Sequence, residues 1–227
     1  MSNMLHGSTF FCMAISLFGY EAGIFLRKKL KIGIFNPLLV SIVFVIIVLK
    51  VTGIDYDTYD KGANVLSYLL TPSTVCLAIP LYQQMNLLKK NLKAIIAGIT
   101  TGVFVSLAGV WVFSMLFHLK KQFYVTLLPK SITTAIGMGI SEELGGIVTI
   151  TVAVIIITGV LGNMIAEVVY KIAKIEEPIA RGLGLGTSAH AIGTAKAMEL
   201  GPVEGAMSSL AIAVAGLLTV VGASVFA

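Results

Sequence analysis

Long uninterrupted apolar segments are the feature that most constrains this chain. Five of them lie at about 8–26, 35–52, 93–117, 144–169 and 203–226. Each is close to the roughly 20 residues that a membrane-spanning helix needs. Their apolar residues are continuous rather than alternating, which excludes the strands of a membrane β-barrel. The sequence therefore predicts an all-α polytopic membrane protein.

The composition supports the membrane class and excludes most soluble ones. Charged residues make up 12% of the chain and hydrophobic residues 57%, and the mean hydropathy is +0.96. A soluble domain carries about 25% charged residues. These values exclude a soluble enzyme, a nucleic-acid-binding domain and a disordered tail. The net charge of +5 is instead attributed to Lys and Arg retained on the cytoplasmic side of a membrane.

Three further apolar segments, 64–84, 123–141 and 179–199, are interrupted by proline or by clustered glycine. A broken helix frees backbone N–H and C=O groups, which lipid cannot satisfy. Broken backbone at membrane depth therefore occurs inside protein or beside a water-filled cavity. We expect these three segments to carry the function.

When the chain is compared with itself at a displacement of 115 residues, the segments of its first half align with those of its second half in the same order. Segment 8–26 falls on 123–141, and the interrupted segment 64–84 falls on 179–199. The expected repeats are 1–115 and 116–227, combined in one integrated membrane domain. Each would hold three transmembrane helices and one broken helix, either re-entrant or fully crossing.

The basic residues provide a test of orientation. With re-entrant broken segments, each repeat crosses the membrane three times, so the second repeat is inverted. Loop Lys and Arg residues then divide nine to five, whereas two fully crossing segments divide them seven to seven. The nine predicted inside are Arg27, Lys28, Lys29, Lys31, Lys120, Lys121, Lys171, Lys174 and Arg181, and the five outside are Lys50, Lys61, Lys89, Lys90 and Lys93. Inverted repeats with broken helices near the midplane are typical of secondary transporters.

Hydroxyl side chains cluster in the two matched broken segments. Ser73 and Thr74 lie in the first, and Thr187 and Ser188 lie in the second. Hydroxyls and the exposed N–H groups of half-helix N-termini suit an anion such as a carboxylate, which makes these residues candidate substrate ligands. The alternative is ordinary helix packing, with each hydroxyl bonded to its own helix.

A third polar cluster follows Pro129. Lys130, Ser131, Thr133 and Thr134 are all candidate substrate-binding residues, and Lys130 would hold a carboxylate. A lysine in an apolar segment is costly unless it reaches water or a partner. The alternative is that Lys130 extends its ammonium group to the membrane interface.

His190 is the only histidine inside a broken apolar segment. Its reference pKa of about 6.5 suits a proton carrier near neutral pH, and the alternative is a neutral histidine bonded within the helix bundle. No metal site is expected, because no second ligand lies at helical spacing from it. Ser188 and His190 are two residues apart and would not face each other on a helix, so no catalytic site, and no enzyme, is predicted. No cofactor is predicted either.

Four stretches together resemble the LrgB/CidB family. They are the runs 69–84, 126–137 and 179–201, and the motif that begins at Asn36-Pro. The resemblance covers nearly the whole chain. It is closer to the CidB-like branch, in which Ser-His-Glu-Leu-Gly-Gly is similar to the run beginning at Ser141. Glu142 stands where that branch has histidine, so no role of that histidine is carried over.

The resemblance implies a multi-pass protein of the bacterial cytoplasmic membrane. It implies a small holin-like partner of the LrgA/CidA type and an effect on murein hydrolases and autolysis. Relatives are linked to movement of small monocarboxylates such as pyruvate, glycolate and glycerate. Two functions remain open: a secondary transporter of small monocarboxylates, proton-linked through His190, or a non-transporting regulatory subunit of a holin-like complex. Self-association is also left open, and no nucleic-acid partner is expected.

Overall fold

A computed structural model describes residues 8–30 and 36–227, without the side chains of Leu70 and Thr74, and every regular element in this part of the chain is helical. The described helices are α1 (Thr9–Leu30), α2 (Pro37–Thr52), α3 (Tyr56–Tyr68), α4 (Leu70–Cys76), α5 (Ala78–Gln83), α6 (Met85–Lys90), α7 (Leu92–Leu116), α8 (Lys121–Leu127), α9 (Thr134–Glu143), α10 (Val148–Ile172), α11 (Pro178–Leu200) and α12 (Pro202–Phe226).

The predicted all-α membrane class is confirmed. Within the described ranges, five helical stretches are long and apolar enough to cross a membrane: Thr9–Leu30, Tyr56–Gln83, Leu92–Leu116, Val148–Ile172 and Pro202–Phe226. The predicted span 35–52 forms the shorter apolar helix α2, of 16 residues. The chain is a multi-pass helical membrane protein.

The chain forms two compact units, Met1–Cys76 and Leu77–Ala227. In the first unit α1 packs against α2 and α3. Gly23 permits the α1–α2 approach, since a Cβ atom there would collide with the backbone of Pro37. Asp55 caps α3, and hydrogen bonds from the hydroxyl and N–H of Thr58 hold the pKa of this carboxyl below its usual value. The division into repeats 1–115 and 116–227 stays a prediction.

In the second unit α11 is a helical hairpin rather than one straight helix. His190 leaves the helical conformation with φ 42° and ψ −132°, so the helix has two arms. A Cβ atom on Gly193 would lie 2.5 Å from the carbonyl oxygen of Leu185. Residues eight apart in a straight helix are separated by about 12 Å. The second arm therefore folds back on the first, and we call residues 178–200 the His190 hairpin.

The arms of the His190 hairpin stay together down to their ends. Leu185 and Ala197 share a small buried cluster with Ala166 of α10. Arg181 and Leu200, at the two ends, line one small cavity. Both ends of the hairpin therefore lie at the same end of the second unit, which we call the foot.

The interrupted segment 123–141 forms a second hairpin, made of α8, a turn through Pro129 and α9. Thr151 of α10 holds its two legs together: Thr151 Oγ1 lies 2.9 Å from the carbonyl oxygen of Thr126 and 2.7 Å from Ser141 Oγ. Nearer the turn, Gly137 packs against Pro129. Residues 121–143 are therefore called the Lys130 hairpin.

The two hairpins enter the second unit from opposite ends. The Lys130 hairpin begins directly after α7 ends, and Tyr124 in its first leg donates a hydrogen bond of 2.6 Å to the carbonyl oxygen of Phe226, at the end of α12. We call this end of the unit the head. Both tips reach Ile155 of α10, which contacts Gly137 with its side chain and accepts a hydrogen bond from His190 with its carbonyl oxygen.

Two expectations about this region are wrong. Residues 8–26 lie in one continuous helix, whereas the matched segment 123–141 turns back, so this pair of segments is not equivalent. Because the Lys130 hairpin returns to the head, Lys120 and Lys121 lie at the opposite end of the unit from the basic residues at the foot. The predicted inside set had grouped them with Lys171, Lys174 and Arg181. Lys89, Lys90 and Lys93 flank the start of α7, at the foot, although they were assigned to the other side.

The two segments that were predicted to be matched broken helices, 64–84 and 179–199, also differ from each other. Segment 179–199 is one closed hairpin with a single reversal at His190. Segment 64–84 is interrupted at Leu69 and Leu77, and both residues keep right-handed helical backbone angles. Segment 179–199 therefore has a break and a reversal at His190, whereas neither a break in the helical backbone angles nor a reversal is described at Leu69 and Leu77.

Small residues allow the His190 hairpin to pack closely against α12. Cβ atoms on Gly182 and Gly186 would each lie 2.5 Å from a backbone carbonyl oxygen of α12, those of Glu204 and Ser208. Thr194 Oγ1 and Ser208 Oγ are 2.7 Å apart and fully buried. These backbone contacts require glycine and explain why the glycine cluster lies in the first arm, before the break itself.

Candidate functional site

A partly open cavity of about 1160 Å³ lies in the second unit, between α7, the tip of the Lys130 hairpin and the first arm of the His190 hairpin. It extends along α7 from Asn91, near the foot, to Phe113 and Leu119, near the head. At 1.5 Å per residue, the stretch from Asn91 to Phe113 is about 33 Å long. The cavity therefore runs along nearly the whole of one membrane-spanning helix.

The lining of this cavity is mostly apolar, with its polar groups at mid-length. Small residues of α7 leave the space open; they are Ala94, Ala97, Gly98, Thr101, Gly102, Ser106 and Gly109. Lys130 and Glu177 are the charged residues of the lining, which belongs entirely to the described part of the chain. Glu177 lies at the foot, so Lys130 is the charge at mid-length.

Lys130 is held by two serines at the tip of its hairpin. Its ammonium group donates to Ser131 Oγ at 2.8 Å and to Ser106 Oγ of α7 at 3.4 Å. Ser106 Oγ in turn donates to Ser131 Oγ at 3.0 Å. Neither serine carries a charge, so the lysine has no carboxylate partner in this cluster. The arrangement leaves the positive charge available to an anion.

The first arm of the His190 hairpin brings Thr187 and Ser188 to the same cavity. Thr187 is buried and Ser188 is exposed. Both hydroxyls bond to their own helix, Thr187 to the carbonyl oxygen of Leu183 at 2.8 Å and Ser188 to that of Gly184 at 2.6 Å. Self-bonding was the alternative expected for these residues, yet both also line the cavity.

His190 faces away from the cavity. Its side chain is 3% exposed, and its Nε2 lies 3.0 Å from the carbonyl oxygen of Ile155. A carbonyl oxygen only accepts, so this bond requires a proton on Nε2. Gly159 makes room for the ring, because a Cβ atom there would lie 2.8 Å from His190 Cε1. The imidazole therefore packs between the hairpin tip and α10.

Lys196, in the second arm, is a buried charge. Its side chain forms ion pairs with Glu167 of α10 and, at 3.2 Å, with Glu199. Asn163 of α10 donates a hydrogen bond of 3.0 Å to the carbonyl oxygen of Ile192. Glu167 therefore has an ion-pair role, and Asn163 connects α10 to the second arm of the His190 hairpin.

The cavity brings four of the predicted ligands together: Lys130, Ser131, Thr187 and Ser188. The other predicted residues lie elsewhere or are not described. Thr133 and Thr134 start α9 and do not line the cavity. Ser73 is exposed on α4 of the first unit, and the side chain of Thr74 is outside the described residues.

Ser106 is a polar residue of the cavity that the sequence argument missed. A single serine in a continuous apolar helix gives no signal by itself. The signal that was present is the row of small residues on α7, which recurs every three or four positions and marks one open face of that helix.

No group of three or more His, Cys, Asp and Glu side chains able to hold a metal ion occurs within residues 8–30 and 36–227.

The LrgB-like family model matches residues 16–227. The chain belongs to the LrgB family.

A curated relative supports the same assignment. The antiholin-like protein LrgB of Bacillus subtilis (strain 168) is 38% identical over 220 residues, which are 96% of this chain and 95% of the relative. No solved structure matches the chain. The predicted membership of the LrgB family is confirmed, whereas closeness to the CidB-like branch stays a prediction.

Proposed function

We propose that this LrgB-family protein is a secondary transporter of small monocarboxylates in the bacterial cytoplasmic membrane. One observation carries the proposal: two hairpins that enter from opposite ends bring their tips to one cavity, where Lys130 has no carboxylate partner. Such hairpins are the form that broken helices take in many transporters, in which the site lies near the midplane. Lys130 would hold the substrate carboxylate, assisted by Ser131.

The length of the cavity supports transport rather than simple binding. Its lining continues from Asn91 at the foot to Leu119 at the head, past the polar groups at mid-length. A substrate held at Lys130 would therefore have lining residues on both sides of it. Movement of either hairpin would open or close one side, which is the requirement of alternating access.

The distribution of basic residues gives the orientation. Apart from Lys130 at one hairpin tip and Lys196 within the second arm of the other hairpin, six basic residues of the second unit lie at the foot and two lie at the head. Those at the foot are Lys89, Lys90, Lys93, Lys171, Lys174 and Arg181, and those at the head are Lys120 and Lys121. Short loops rich in Lys and Arg stay in the cytoplasm, so the foot is assigned to the cytoplasmic side.

A linked proton would explain how a carboxylate enters a cell that is negative inside. The membrane potential opposes such entry by about 2.3 kcal/mol per charge per 100 mV, and co-transport of one proton removes that penalty. His190 is assigned the proton-coupling role, because it lies two residues after Ser188 at the tip of the His190 hairpin. It would act through the position of the tip rather than by contact with the substrate.

The partner follows from the family. Family membership supports a small holin-like protein of the LrgA/CidA type as a membrane partner, and an effect on autolysis through it. Ser73 and Thr74 of the first unit stay proposed as additional substrate contacts. Their role would be tested with Ser73→Leu, which should abolish uptake while leaving membrane insertion intact.

A non-transporting regulatory subunit of a holin-like complex is the second candidate. The name of the B. subtilis relative, antiholin-like protein LrgB, favours it. A purely regulatory subunit, however, has no evident need for a lysine without an acidic partner beside a long internal cavity.

Uptake of labelled pyruvate, lactate and glycolate into vesicles would separate these candidates. The vesicles would contain the purified chain alone, the chain with its small partner, or the Lys130→Met variant with that partner. Transport predicts uptake by the native chain and its loss in the variant. If no vesicle takes up any of the three acids, while deletion of the protein in cells still changes autolysis, the regulatory function stands instead.

A further inference from the structure

A second, smaller cavity of about 330 Å³ lies at the foot, and it shares no lining residue with the long cavity along α7. We call it the foot cavity. Its charged lining residues are Glu167, Lys171, Lys174, Glu176 and Arg181. The 25 residues of α10 are about 37 Å long, which exceeds the roughly 30 Å of a hydrocarbon core. The end of α10 therefore reaches the level of the lipid headgroups, and the foot cavity lies at that level.

The turn from α10 to α11 is closed by its own backbone. Ile175 N–H donates to the carbonyl oxygen of Tyr170 at 2.8 Å, and Lys174 N–H donates to that of Lys171 at 3.4 Å. Lys174 has a φ of 53°. This pair of bonds around a left-handed residue is a common helix ending, in which the left-handed position is usually glycine. Here a lysine occupies it, and the turn carries Lys171 and Lys174 beside the cavity.

Arg181 is held in the wall of the foot cavity from two sides. Its Nε donates to the carbonyl oxygen of Ile175 at 2.7 Å. Its guanidinium carbon lies 5.9 Å from the centre of the Tyr170 ring, and the Tyr170 hydroxyl donates to the Arg181 carbonyl oxygen at 2.7 Å. A guanidinium group has five N–H donors, of which Nε supplies one. The four on the terminal nitrogens have no acceptor among the described residues.

The acidic residues of the lining do not neutralise its basic ones. Glu167 is paired with Lys196, and Glu176 is exposed and forms no ion pair within residues 8–30 and 36–227. Nor does any of the three basic residues form an ion pair in that part of the chain. With Glu167 matched to Lys196, the lining keeps three positive charges against the one negative charge of Glu176. The foot cavity therefore favours an anion.

Helix electrostatics explain only part of this charge. Lys171 lies in the last turn of α10, where the helix dipole favours a cation. Arg181 is the fourth residue of α11, near the end of a helix at which the dipole disfavours a cation. The place of Arg181 therefore has another cause, and a bound anion supplies one.

The arrangement of donors favours a phosphate group over a carboxylate. The terminal nitrogens of a guanidinium group form a planar fork that matches two oxygens of either anion. A carboxylate has no further oxygen, whereas a phosphate group keeps others that the ammonium groups of Lys171 and Lys174 can approach. Because Nε and the Tyr170 ring already hold the guanidinium of Arg181, little side-chain freedom is lost when the fork binds.

We propose that the foot cavity is a second binding site, for a phosphate group, in which Arg181 binds two oxygens and Lys171 and Lys174 supply flanking charge. The phosphate belongs either to a soluble phosphorylated compound or to the headgroup of an anionic phospholipid, which basic pockets between membrane helices bind. Arg181 lies near the start of the His190 hairpin and Leu200 at its end, and both line the cavity. A bound phosphate therefore ties the base of this hairpin to α10. The site does not depend on transport.

Thermal stabilisation of the purified protein in detergent tests the proposal. The probes are inorganic phosphate, glycerol 3-phosphate and micelles with added phosphatidylglycerol. Phosphatidylcholine and sodium chloride of equal ionic strength are the controls for lipid and for salt. Arg181→Gln should weaken the apparent affinity for the effective probe by about tenfold or more, because it removes charged hydrogen bonds.

Exposed charges around the cavity provide variants that leave the anchoring bonds of Arg181 in place. The double variant Lys171→Gln with Lys174→Gln should weaken affinity, by about two- to fivefold for each charge. Glu176→Gln should strengthen it by a similar factor, because it removes the opposing charge. The matched control is Lys120→Gln with Lys121→Gln, which removes two positive charges at the head and should bind as the native chain does.

The pattern across the probes identifies the source of the phosphate. Stabilisation by glycerol 3-phosphate or inorganic phosphate, with these opposite effects of the lysine and Glu176 variants, would support a soluble ligand. The same pattern with phosphatidylglycerol alone would support a lipid headgroup. Absence of stabilisation by every probe, or equal weakening by the foot and head double variants, would overturn the proposal.

Discussion

The Lys130 and His190 hairpins reach the same level of α10 with opposite chemistry at their tips. The Lys130 tip places an ammonium group and Ser131 against the cavity, and its turn runs through Pro129. The His190 tip buries its ring against the backbone of Ile155, and its turn is made by a residue with positive φ. One tip therefore faces the cavity, and the other is held against α10.

This difference indicates that the two hairpins have different roles. A non-glycine residue with the backbone angles of His190 costs about 1 to 3 kcal/mol, and it persists only where the surroundings hold it. Here α10 holds it through the Ile155 bond and through the space left by Gly159. The His190 tip is therefore fixed against α10, and the Lys130 hairpin is the candidate binding part.

The largest expected contrast concerns the side of the membrane from which each hairpin enters. In a background without Cys12 and Cys76, single cysteines would replace Lys121 at the head and Lys174 at the foot. An impermeant thiol reagent added outside should label position 121 and leave position 174 unlabelled until the membrane is opened. Labelling of both from the same side would show that the hairpins do not enter from opposite faces.

The same measurement extends to the first unit. Cysteines at Lys29 and Asp57 test the prediction that residues 27–31 are cytoplasmic and that residues 55–60 are outside. Labelling at 29 but not at 57 would overturn that assignment.

Loss of the Lys130 charge should have the next largest effect. Lys130→Met removes the donor to a carboxylate, and hydrogen bonds to charged groups contribute about 1.5 to 3 kcal/mol. Substrate affinity should fall by about tenfold or more at every pH between roughly 5.5 and 7.5, because methionine offers no N–H donor at any pH. The matched control is Lys174→Met, which removes an exposed lysine at the foot and should leave affinity unchanged. Equal affinity in both variants would leave Lys130 as an interfacial residue.

A smaller effect is expected from closing the space between the arms of the His190 hairpin. Gly193→Ala places a methyl group 2.5 Å from the carbonyl oxygen of Leu185, and overpacking of this kind costs about 1 to 3 kcal/mol. The melting temperature of the purified protein should fall. Gly184→Ala is the control, because its nearest atom, Tyr170 Oη, would be 3.6 Å away. A melting temperature lowered as much by the control would argue against the closed hairpin.

The smallest expected effect is a change in the shape of a pH profile. Glutamine at position 190 can still donate to the Ile155 carbonyl but cannot titrate near neutrality. His190→Gln should therefore keep substrate binding and flatten the pH dependence of uptake between roughly pH 5.5 and 7.5, the range around the reference pKa of histidine. A variant with the native pH profile would make His190 a structural residue only.

The sequence was informative about breaks and uninformative about reversals. Pro129 marked an interrupted helix, because proline acts on the local backbone. The glycines before His190 lie inside the first arm, where they pack against α12, and the break itself is at His190. The return of each chain segment depends on distant contacts, such as Gly193 on Leu185 and Thr151 on both legs of the other hairpin. No local pattern encodes those pairings, so segment 123–141 was read as a crossing helix.

The sequence also indicated only part of the candidate site. Of the candidate ligands beside the breaks, Lys130 and Ser188 line the cavity, and their binding role stays a prediction. Thr133 and Thr134 do not line it, because the direction of a side chain at a turn depends on how the turn closes. Ser106 was missed because its partner, Ser131, is distant in sequence.

Protection of a cysteine at position 188 tests the central claim, that both hairpin tips belong to one carboxylate site. Ser188→Cys would be made without Cys12 and Cys76, and its alkylation rate measured with and without lactate or pyruvate, in chains with Lys130 and with Lys130→Met. The account predicts that substrate slows alkylation when Lys130 is present and has no effect when it is replaced. Equal alkylation rates with and without substrate in the Lys130 chain, or protection that survives Lys130→Met, would contradict it.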